Sequence, residues 1–324
     1  MTQPRKKRIS LTDTPYYHIT SRCVRRSFLC GVDRYTGESY EHRRQWIVDR
    51  MRLLASVFAV DICSYAVMSN HYHLVVKISP EQVEDLSDYE ILVRWQCIFK
   101  GTVLVRRYRA GEPLSEPERT AVSDTIAIYR KRLADISWFM RCLNHPIAVQ
   151  ANKEDNCKGH FFEARFNSQS LKEIESLITC MAYVDLNPIR AGMAVTPEHS
   201  DYTSIQERIR PTFDLDKAIT ALTVRNEVLD FGAELKPLMP FLDSINDEDS
   251  EGIPMPLSAY IELVDWTGRA ILDNKRGVIA AGTPAILKRL NISNKHWIGG
   301  ASQFERLHRK TFGGKRAHLI FDTS

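Results

Sequence analysis

The apolar and polar positions in the first quarter of the chain follow two different periods. Residues 16–22 (YYHITSR) are rich in aromatic and β-branched side chains, which predicts a β-strand. Residues 40–58 carry apolar side chains near helical spacing, which predicts a helix. Residues 61–68 and 71–77 predict two further strands, joined as a hairpin at the turn dipeptide Ser69-Asn70. A strand, a helix and a hairpin in this order are typical of the start of an α/β or α+β layer.

The pattern becomes mainly helical after the hairpin. Residues 88–108 and 120–150 predict helices, and the segment 111–117 (GEPLSEP) is rich in residues that break helices. Residues 159–169 (GHFFEARFNSQ) predict one strand or a bent pair of strands. The order of elements therefore predicts a domain of sheet and helices that ends near residue 195.

Another amphipathic helix is predicted from Ser170 onwards. Ser170 is a good N-cap, and Glu173 stands at the capping-box position three residues later. Pro188 disfavours helical geometry in the residue before it. The helix is therefore predicted to end near Leu186 and Asn187.

Composition along the chain predicts three parts. Residues 1–205 form the predicted main domain, with a helical insertion around residues 85–133. Residues 206–254 predict a helical connection that ends in an acidic linker, DSINDEDSEGIP. Residues 255–324 predict a helical accessory domain.

The overall composition predicts an ordinary globular protein. Hydrophobic residues make up 44% of the chain and charged residues 26%, which argues against wholesale disorder. The seven cysteines are scattered without a C-x-x-C pair, which argues against a disulfide framework or a zinc ribbon. The first residues lack the apolar core of a secretory signal, and no later run is long enough to span a bilayer. We therefore expect a cytoplasmic protein.

Positive charge is concentrated in the first part of the chain. Residues 1–195 carry 28 lysines and arginines against 22 acidic residues, whereas residues 196–324 carry 16 against 18. Basic runs lie at residues 5–8, 106–109 and 130–132. Each run is either a candidate for contact with phosphates or the solvated face of an ordinary element.

His71 and His73 form the first candidate chemical site. Side chains alternate along a strand, so the two imidazoles project from one side of the sheet and could share one ion. With ten histidines in the chain, such a pair also arises by chance. Two strand histidines that make ordinary hydrogen bonds therefore remain the alternative.

Tyr183 and Asn187 form the second candidate site, at the end of the helix that follows Ser170. The two residues are four apart, so they lie on one helix face. An amide oxygen can bind a hard divalent ion, and a phenol can act as a nucleophile. The alternative is that Tyr183 packs in the core and Asn187 caps the helix before Pro188.

The two candidate sites occur in a recognisable order of motifs. The segments YHITSR, YAVMSNHYHLVV and GHFFEARF are followed by a helix that closes in YVDLNPIRAG. This order resembles the HUH-type single-tyrosine transposases and, within them, the REP-associated tyrosine transposases. The resemblance covers about residues 12–205; the span 85–133 is longer than expected of a minimal member, and residues 206–324 lie outside the catalytic core. It implies an α+β fold with a ferredoxin-like or RRM-like antiparallel sheet.

The resemblance also implies roles for individual residues. His71 and His73 match the histidine pair that holds the metal ion in the family. Tyr183 matches the nucleophile, and Asn187 matches the position that often completes the metal site. The implied cofactor is Mg²⁺ or Mn²⁺, which oxygen and imidazole ligands can bind, although imidazole also suits zinc.

Candidate DNA-binding residues come from two sources. The segments that resemble the family's strands contain His18, Arg22 and Arg165, which could approach DNA phosphates. A single strand exposes its bases, so its binding site is expected to be a basic groove with aromatic side chains. The candidates for this groove include Arg106, Arg107, Arg109 and Arg130. The alternative for these arginines is an amphipathic helix surface with buried tyrosines.

The implied activity is a transposase that cleaves and rejoins single-stranded DNA containing hairpin (palindromic) elements. A 5′-phosphotyrosine intermediate preserves the energy of the broken bond, and the chain contains no G-x-x-x-x-G-K-[ST] loop for nucleotide hydrolysis. DNA binding implies association with the nucleoid. Because REP-associated relatives act as monomers, a monomer is favoured over a dimer.

Two other classes of function remain open at this point. The first is a domesticated protein that binds DNA hairpins without cleaving them. The second is a metal-dependent nuclease that uses water, in which Tyr183 is incidental. The second alternative requires a further acidic or histidine ligand that the sequence does not reveal.

Overall fold

The computed structural model describes residues 9–24, 29–32, 37–163, 165–211, 236–242, 251–269 and 277–286. It begins with strand β1, Tyr16–Arg22, and helix α1, His42–Val57. The hairpin follows as β2, Val60–Val67, and β3, His71–Ile78. These four elements agree closely with the sequence prediction.

Helices fill the chain between the hairpin and the last strand. They are α2, Glu81–Glu84; α3, Asp88–Gln96; α4, Val103–Arg109; α5, Glu116–Leu133; and α6, Ile136–Glu154. Strand β4, Asn167–Ser170, comes next. It is followed by α7, Ile174–Asp185; α8, Asn187–Arg190; a 3₁₀ turn, Pro197–His199; α9, Ser204–Ile209; and α10, Leu257–Arg269.

The four strands form one antiparallel sheet in the order β2-β3-β1-β4. The chain runs through a strand, a helix, a hairpin, further helices and a last strand that pairs beside the first. This order is the βαββαβ topology of ferredoxin-like domains. Helix α6 takes the place of the second crossover helix and packs against α1. The predicted α+β fold with a ferredoxin-like antiparallel sheet is therefore confirmed.

The two faces of the sheet are buried under different helices. Tyr17, Ile19, Tyr72 and Leu74 point into a core that α1 and α6 cover. Val75 points to the opposite face, where it joins a second core with the apolar side of α7 and with α10. Alternating side chains along β1 and β3 supply both cores at once. The first core closes the back of the sheet, and the second positions α7 across the front.

The predicted helix over residues 88–108 is wrong as a single element. The structure divides it into α3 and α4, with Gly101 between them at a φ of +71°. This left-handed conformation ends a helical path and favours glycine. Thr102 then starts α4, because its hydroxyl accepts a hydrogen bond from the backbone N–H of Val105.

The predicted start of the following helix is also wrong. Ser170 belongs to β4, where it pairs with Tyr17, and the N-cap of α7 is Glu173. Pairing with β1 outweighs the capping preference that the local sequence shows for Ser170. Helix α7 ends at Asp185, and Asn187 begins the short helix α8 with Pro188 in its first turn.

A buried carboxylate joins α7 to later parts of the chain. Asp185 is fully buried and accepts hydrogen bonds from the hydroxyl of Ser204 at 2.6 Å and the backbone N–H of Ile205 at 3.0 Å. The hydroxyl of Tyr260, on α10, also donates to Asp185. Burial raises the pKa of Asp185 to about 6, although the three hydrogen bonds oppose this shift. These bonds fix the end of α7 from two sides.

Much of the chain after α9 lies outside the described residues. The predicted connection and acidic linker over 206–254 are described only at 206–211, 236–242 and 251–254. Within the predicted accessory region, 255–324, α10 packs against α7 in the second core. Residues 270–276 and 287–324 lie outside the described residues. In the part of the chain that is described, no helix is both long and apolar enough to cross a membrane.

The hydrogen bond from Tyr260 to Asp185 predicts that Tyr260→Phe lowers the stability of the fold. Removing the buried hydroxyl leaves a carboxylate oxygen without its donor, which costs about 1–3 kcal/mol of unfolding free energy. Tyr108→Phe is the matched control, because Tyr108 is 44% exposed and surface changes stay within about 0.5 kcal/mol. Denaturant unfolding of both variants checks the prediction, and equal stabilities would contradict it.

Glu262 predicts a pH dependence of stability. Burial on α10 and then the charge of Asp265 raise the pKa of Glu262 from 4.5 to about 7. Between these two values the folded chain binds more protons than the unfolded chain, so the contribution of this carboxyl to stability falls as pH rises. Glu262→Gln should therefore gain stability relative to the unmodified protein between about pH 5 and about pH 8. Denaturant unfolding at both pH values measures the difference in unfolding free energy between Glu262→Gln and the unmodified protein. A difference that is the same at both pH values would contradict the assignment.

Candidate functional site

The two predicted histidines lie on the face of the sheet that α7 covers. His71 pairs with Arg22 across the strands, and His73 pairs with Thr20. Their ring centroids are 4.8 Å apart, with the rings at 80° to each other. The structure therefore brings the two imidazoles together on one side, as alternation along β3 predicts.

His73 is nearly buried and is held from one side of its ring. Its Nδ1 lies 2.9 Å from Nε2 of His18 and 3.2 Å from the hydroxyl oxygen of Thr20. The opposite ring nitrogen, Nε2, is buried and has no hydrogen-bond partner among the described residues. A buried polar atom without a partner is uncommon and calls for a physical explanation.

One ring nitrogen of His71 is also held by a neighbouring side chain, that of Asn70 in the turn before β3. Nδ1 of His71 contacts the side-chain oxygen of Asn70. An amide oxygen only accepts hydrogen bonds, so Nδ1 of His71 carries the proton of the neutral ring. Nε2 of His71 then carries the lone pair that could bind a metal ion.

The environment favours neutral imidazoles. Burial lowers the pKa of His73 to about 3, and electrostatic repulsion between its protonated form and His71, His18 and Arg22 contributes to the shift. Burial and then Arg22 lower the pKa of His71 to about 4, and burial lowers the pKa of His18. Neutral imidazole is the form that binds metals.

Tyr183 lies beside this group, on the exposed side of α7. Its side chain is 47% exposed. Its ring is edge-on to the rings of His73 and His18, at centroid distances of 5.8 and 6.3 Å. It also lines an open cleft of about 800 Å³ between α7 and β4. The phenol is therefore accessible to a ligand and adjacent to the histidines.

Asn187 makes a local contact at the end of α7. Its side-chain nitrogen donates a hydrogen bond to the backbone carbonyl of Tyr183 at 3.0 Å. This contact agrees with the helix-capping alternative. It leaves the amide oxygen of Asn187 as the atom with ligand chemistry, and the metal-binding role of Asn187 stays a prediction.

The residues present fit a divalent metal ion. The pair offers Nε2 of His71 and the buried, unpartnered Nε2 of His73. No group of three histidine, cysteine or acidic side chains in the described ranges is arranged to hold an ion. Further ligands would therefore be oxygen atoms, from Asn187, water or a bound phosphate, as Mg²⁺ and Mn²⁺ prefer.

Arg22 lies near the two histidines, whereas Arg165, the other arginine predicted from the strand segments, lies in a different cleft. Arg22 is exposed at the end of β1, and its charge contributes to the lowered pKa of both His71 and His73. Arg165 is exposed in another cleft, of about 400 Å³, between α6 and the segment before β4. Of these two arginines, Arg22 is the one that lies near the histidines, and its role in binding phosphate stays a prediction.

Three of the four arginines predicted to line a basic groove make contacts within the protein. Arg107 forms ion pairs with Glu112 at 2.9 Å and Glu118 at 2.8 Å. Arg109 donates to the side chain of Gln96. These contacts support the structural alternative for both arginines. Arg106 is exposed.

Arg130 has the clearest structural role of the four. Its guanidinium donates to the backbone carbonyls of Leu86 at 2.7 Å and Glu84 at 3.2 Å, and also to that of Val83. It also pairs with Asp88 at 3.2 Å. Arg130 therefore closes the turn between α2 and α3, and Tyr129 beside it is buried as the structural alternative expects.

The sequence does not reveal three neighbours of the site. Thr20 contacts His73, Asn70 contacts His71, and Gln169 lines the cleft beside Tyr183. Thr20 lies two residues after His18 on β1, so strand alternation places both on one face. Gln169 lies in a segment predicted to form a strand, but its pairing with His18 depends on a register that the sequence does not show.

Comparisons with known proteins give one match. No family model and no curated protein matches the chain. The chain is similar to a solved structure of a REP-associated tyrosine transposase bound to a REP hairpin. The two sequences are 12% identical, and the match covers 67% of this chain and 90% of the other, with a TM-score of 0.37.

The arginine contacts predict different effects for two matched variants. Arg130→Met should lower the unfolding free energy by about 1–3 kcal/mol, because three backbone carbonyls lose a charged hydrogen-bond donor. Arg106→Met should change it by no more than about 0.5 kcal/mol. Denaturant unfolding measures both variants. An Arg130→Met variant as stable as the unmodified protein would contradict the structural role of Arg130.

Proposed function

We propose that this protein cleaves and rejoins single-stranded DNA, with Tyr183 as the nucleophile. The observation that carries the proposal is the position of a half-exposed phenol beside His73 and His18, at the edge of an open cleft. The order of the motifs resembles that of the single-tyrosine transposases. A binding role alone would leave this grouping of phenol and neutral imidazoles unexplained.

The proposed reaction moves one phosphoryl group. The phenolic oxygen of Tyr183 bonds to the scissile phosphorus while the bond from phosphorus to the 3′ oxygen breaks. The phenolic proton is released, and the departing 3′ oxygen takes up a proton to give a free 3′-OH. The product is a 5′-phosphotyrosine link, which a 3′-OH can attack later in the reverse sense.

His71 and His73 would hold the metal ion through their Nε2 atoms, and Asn187 is the candidate for an oxygen ligand. When bound, Mg²⁺ or Mn²⁺ supplies positive charge that neutralises the phosphate oxygens. Arg22, exposed at the end of β1, provides a guanidinium that can bind the same phosphate. The burial of His73 and the partial burial of His71 limit the access of water to the metal-binding atoms and strengthen electrostatic interactions there.

Single-stranded DNA with hairpin elements is the proposed partner. The cleft beside Tyr183 is open, so a flexible strand can reach the phenol along β4. Arg107, Arg109 and Arg130 are not part of the proposed path, because their guanidinium groups contact the protein itself. A monomer remains the predicted state.

The test uses covalent capture. The protein is incubated with labelled single-stranded hairpin oligonucleotides, taken from DNA that flanks its own gene, and with Mg²⁺ or Mn²⁺. A protein–DNA adduct that resists denaturation is expected. Tyr183→Phe should reduce the adduct at least about a thousand-fold, because loss of a nucleophilic atom costs several orders of magnitude.

The control variant is Tyr108→Phe, which removes a phenolic hydroxyl of similar exposure, 44% against 47%. It should form the adduct at the normal rate. Cleavage that persists in Tyr183→Phe would favour a nuclease that uses water. Hairpin binding with no adduct from the unmodified protein would favour a DNA-binding role.

A further inference from the structure

We infer that His18 is a positioning residue that sets the tautomer of His73. Its Nε2 accepts a hydrogen bond from Nδ1–H of His73, so that the lone pair of His73 lies on Nε2, directed away from His18. The inference rests on the proposed function for its purpose, since it prepares His73 to bind the metal ion. Nothing in the sequence motifs assigns this role to His18, which sequence reasoning places at DNA phosphates.

The two rings are arranged for one well-defined hydrogen bond. Nε2 of His18 and Nδ1 of His73 are 2.9 Å apart, which is a normal hydrogen-bond distance. The rings are nearly parallel, at 15°, with centroids 5.1 Å apart. A hydrogen bond between two imidazole nitrogens needs a proton on one nitrogen and a lone pair on the other. This contact therefore has two possible directions.

The far side of the His73 ring decides between the two directions. If His18 donated, the proton of His73 would lie on Nε2, which is buried and has no acceptor among the described residues. A buried donor without an acceptor is costly. If His73 donates, Nε2 carries a lone pair that a cation can satisfy. An unpartnered buried nitrogen is costly in either direction, but only the second direction leaves a lone pair that the proposed metal ion can satisfy, so we assign the second.

The neighbouring contacts agree with this direction. The hydroxyl of Thr20, 3.2 Å from Nδ1 of His73, can accept from the same N–H and holds the ring from a second side. Asn70 acts on His71 in the same way, because its oxygen accepts from Nδ1. Both histidines then present Nε2 lone pairs. Outer partners that hold the second nitrogen of a ligand histidine are a general feature of metal sites.

This assignment changes the chemistry expected of His18. The Nε2 atom of a phosphate-binding histidine would have to carry a proton and face the anion. In the structure, that atom lies 2.9 Å from Nδ1 of His73. His18 therefore acts through His73 and does not contact the DNA.

Two variants of His18 test the inference in the absence of DNA. His18→Gln keeps an oxygen that can accept from His73, whereas His18→Phe keeps a flat ring that cannot accept. The tautomer of His73 is read from ¹⁵N chemical shifts of the metal-free protein by NMR. The Kd for Mn²⁺ is measured by calorimetry, with Mn²⁺ alone as the probe. Denaturant unfolding of each variant verifies that it is folded.

The unmodified protein and His18→Gln should both show a proton on Nδ1 of His73. His18→Phe should shift His73 toward the Nε2–H tautomer and weaken Mn²⁺ binding about 10- to 100-fold, as loss of an outer partner does in other metal sites. His18→Gln should restore most of this affinity.

Two results would overturn the inference. One is a proton on Nε2 of His73 in the unmodified protein. The other is a His18→Phe variant that keeps both the His73 tautomer and the Mn²⁺ affinity of the unmodified protein. Neither readout involves DNA cleavage. Failure of the covalent-capture test would therefore reject the proposed reaction and leave the role of His18 to be decided separately.

Discussion

The candidate site depends on the pairing register between β1 and β3. In this register His73 lies opposite Thr20 and His71 opposite Arg22, while His18 lies two residues before Thr20 on the same face. A slip of one residue would turn an entire strand over, because side chains alternate between the two faces. The residues between the polar ones, such as Tyr17 and Tyr72, are fully buried beneath α1 and α6. Burial of these apolar residues therefore fixes the position of the polar ones.

Helix α7 places Tyr183 by the same principle. One side of this helix buries Leu177, Ile178 and Met181 in the second core, and Tyr183 lies on the opposite side. Hydrogen bonds from Ser204 and Tyr260 to Asp185 hold the end of the helix. Residues far along the chain thus fix a phenol that lies two positions from Asp185. The region after α9 contributes to the geometry of the site through α10, independently of any contact with DNA.

Local sequence was enough to predict the first four elements. In strands β1, β2 and β3 and in helix α1, the residue types or the spacing of apolar side chains are characteristic of the element that forms. Strand β4 was predicted only loosely within residues 159–169; the observed strand, Asn167–Ser170, is polar and is held by pairing with β1. The error at Ser170 has the same origin, since a tertiary pairing replaced a local cap. The division at Gly101 depends on a backbone conformation that spacing does not reveal.

The sequence also predicts which candidate residues lie together better than it predicts the contacts of their individual atoms. Strand alternation predicts that His18, His71 and His73 share a face, yet it does not indicate which nitrogen meets which neighbour. The contacts of Arg107 and Arg130 were equally hidden, because their partners lie in loops and helix ends. A basic run identifies only the charge. Whether that charge faces solvent or a carbonyl depends on packing that a single sequence does not encode locally.

The buried Nε2 of His73 connects the stability of the fold with the proposed chemistry. A polar atom that is desolvated without a partner opposes folding, and the surrounding core must compensate for it. Its two neighbours, His18 and Thr20, both contact the other side of the ring, so neither relieves this cost. A protein selected for stability alone would have little reason to keep an imidazole in that position. The same arrangement is favourable once a cation is bound, because the desolvated lone pair then gains a strong ligand bond without reorganisation of the ring.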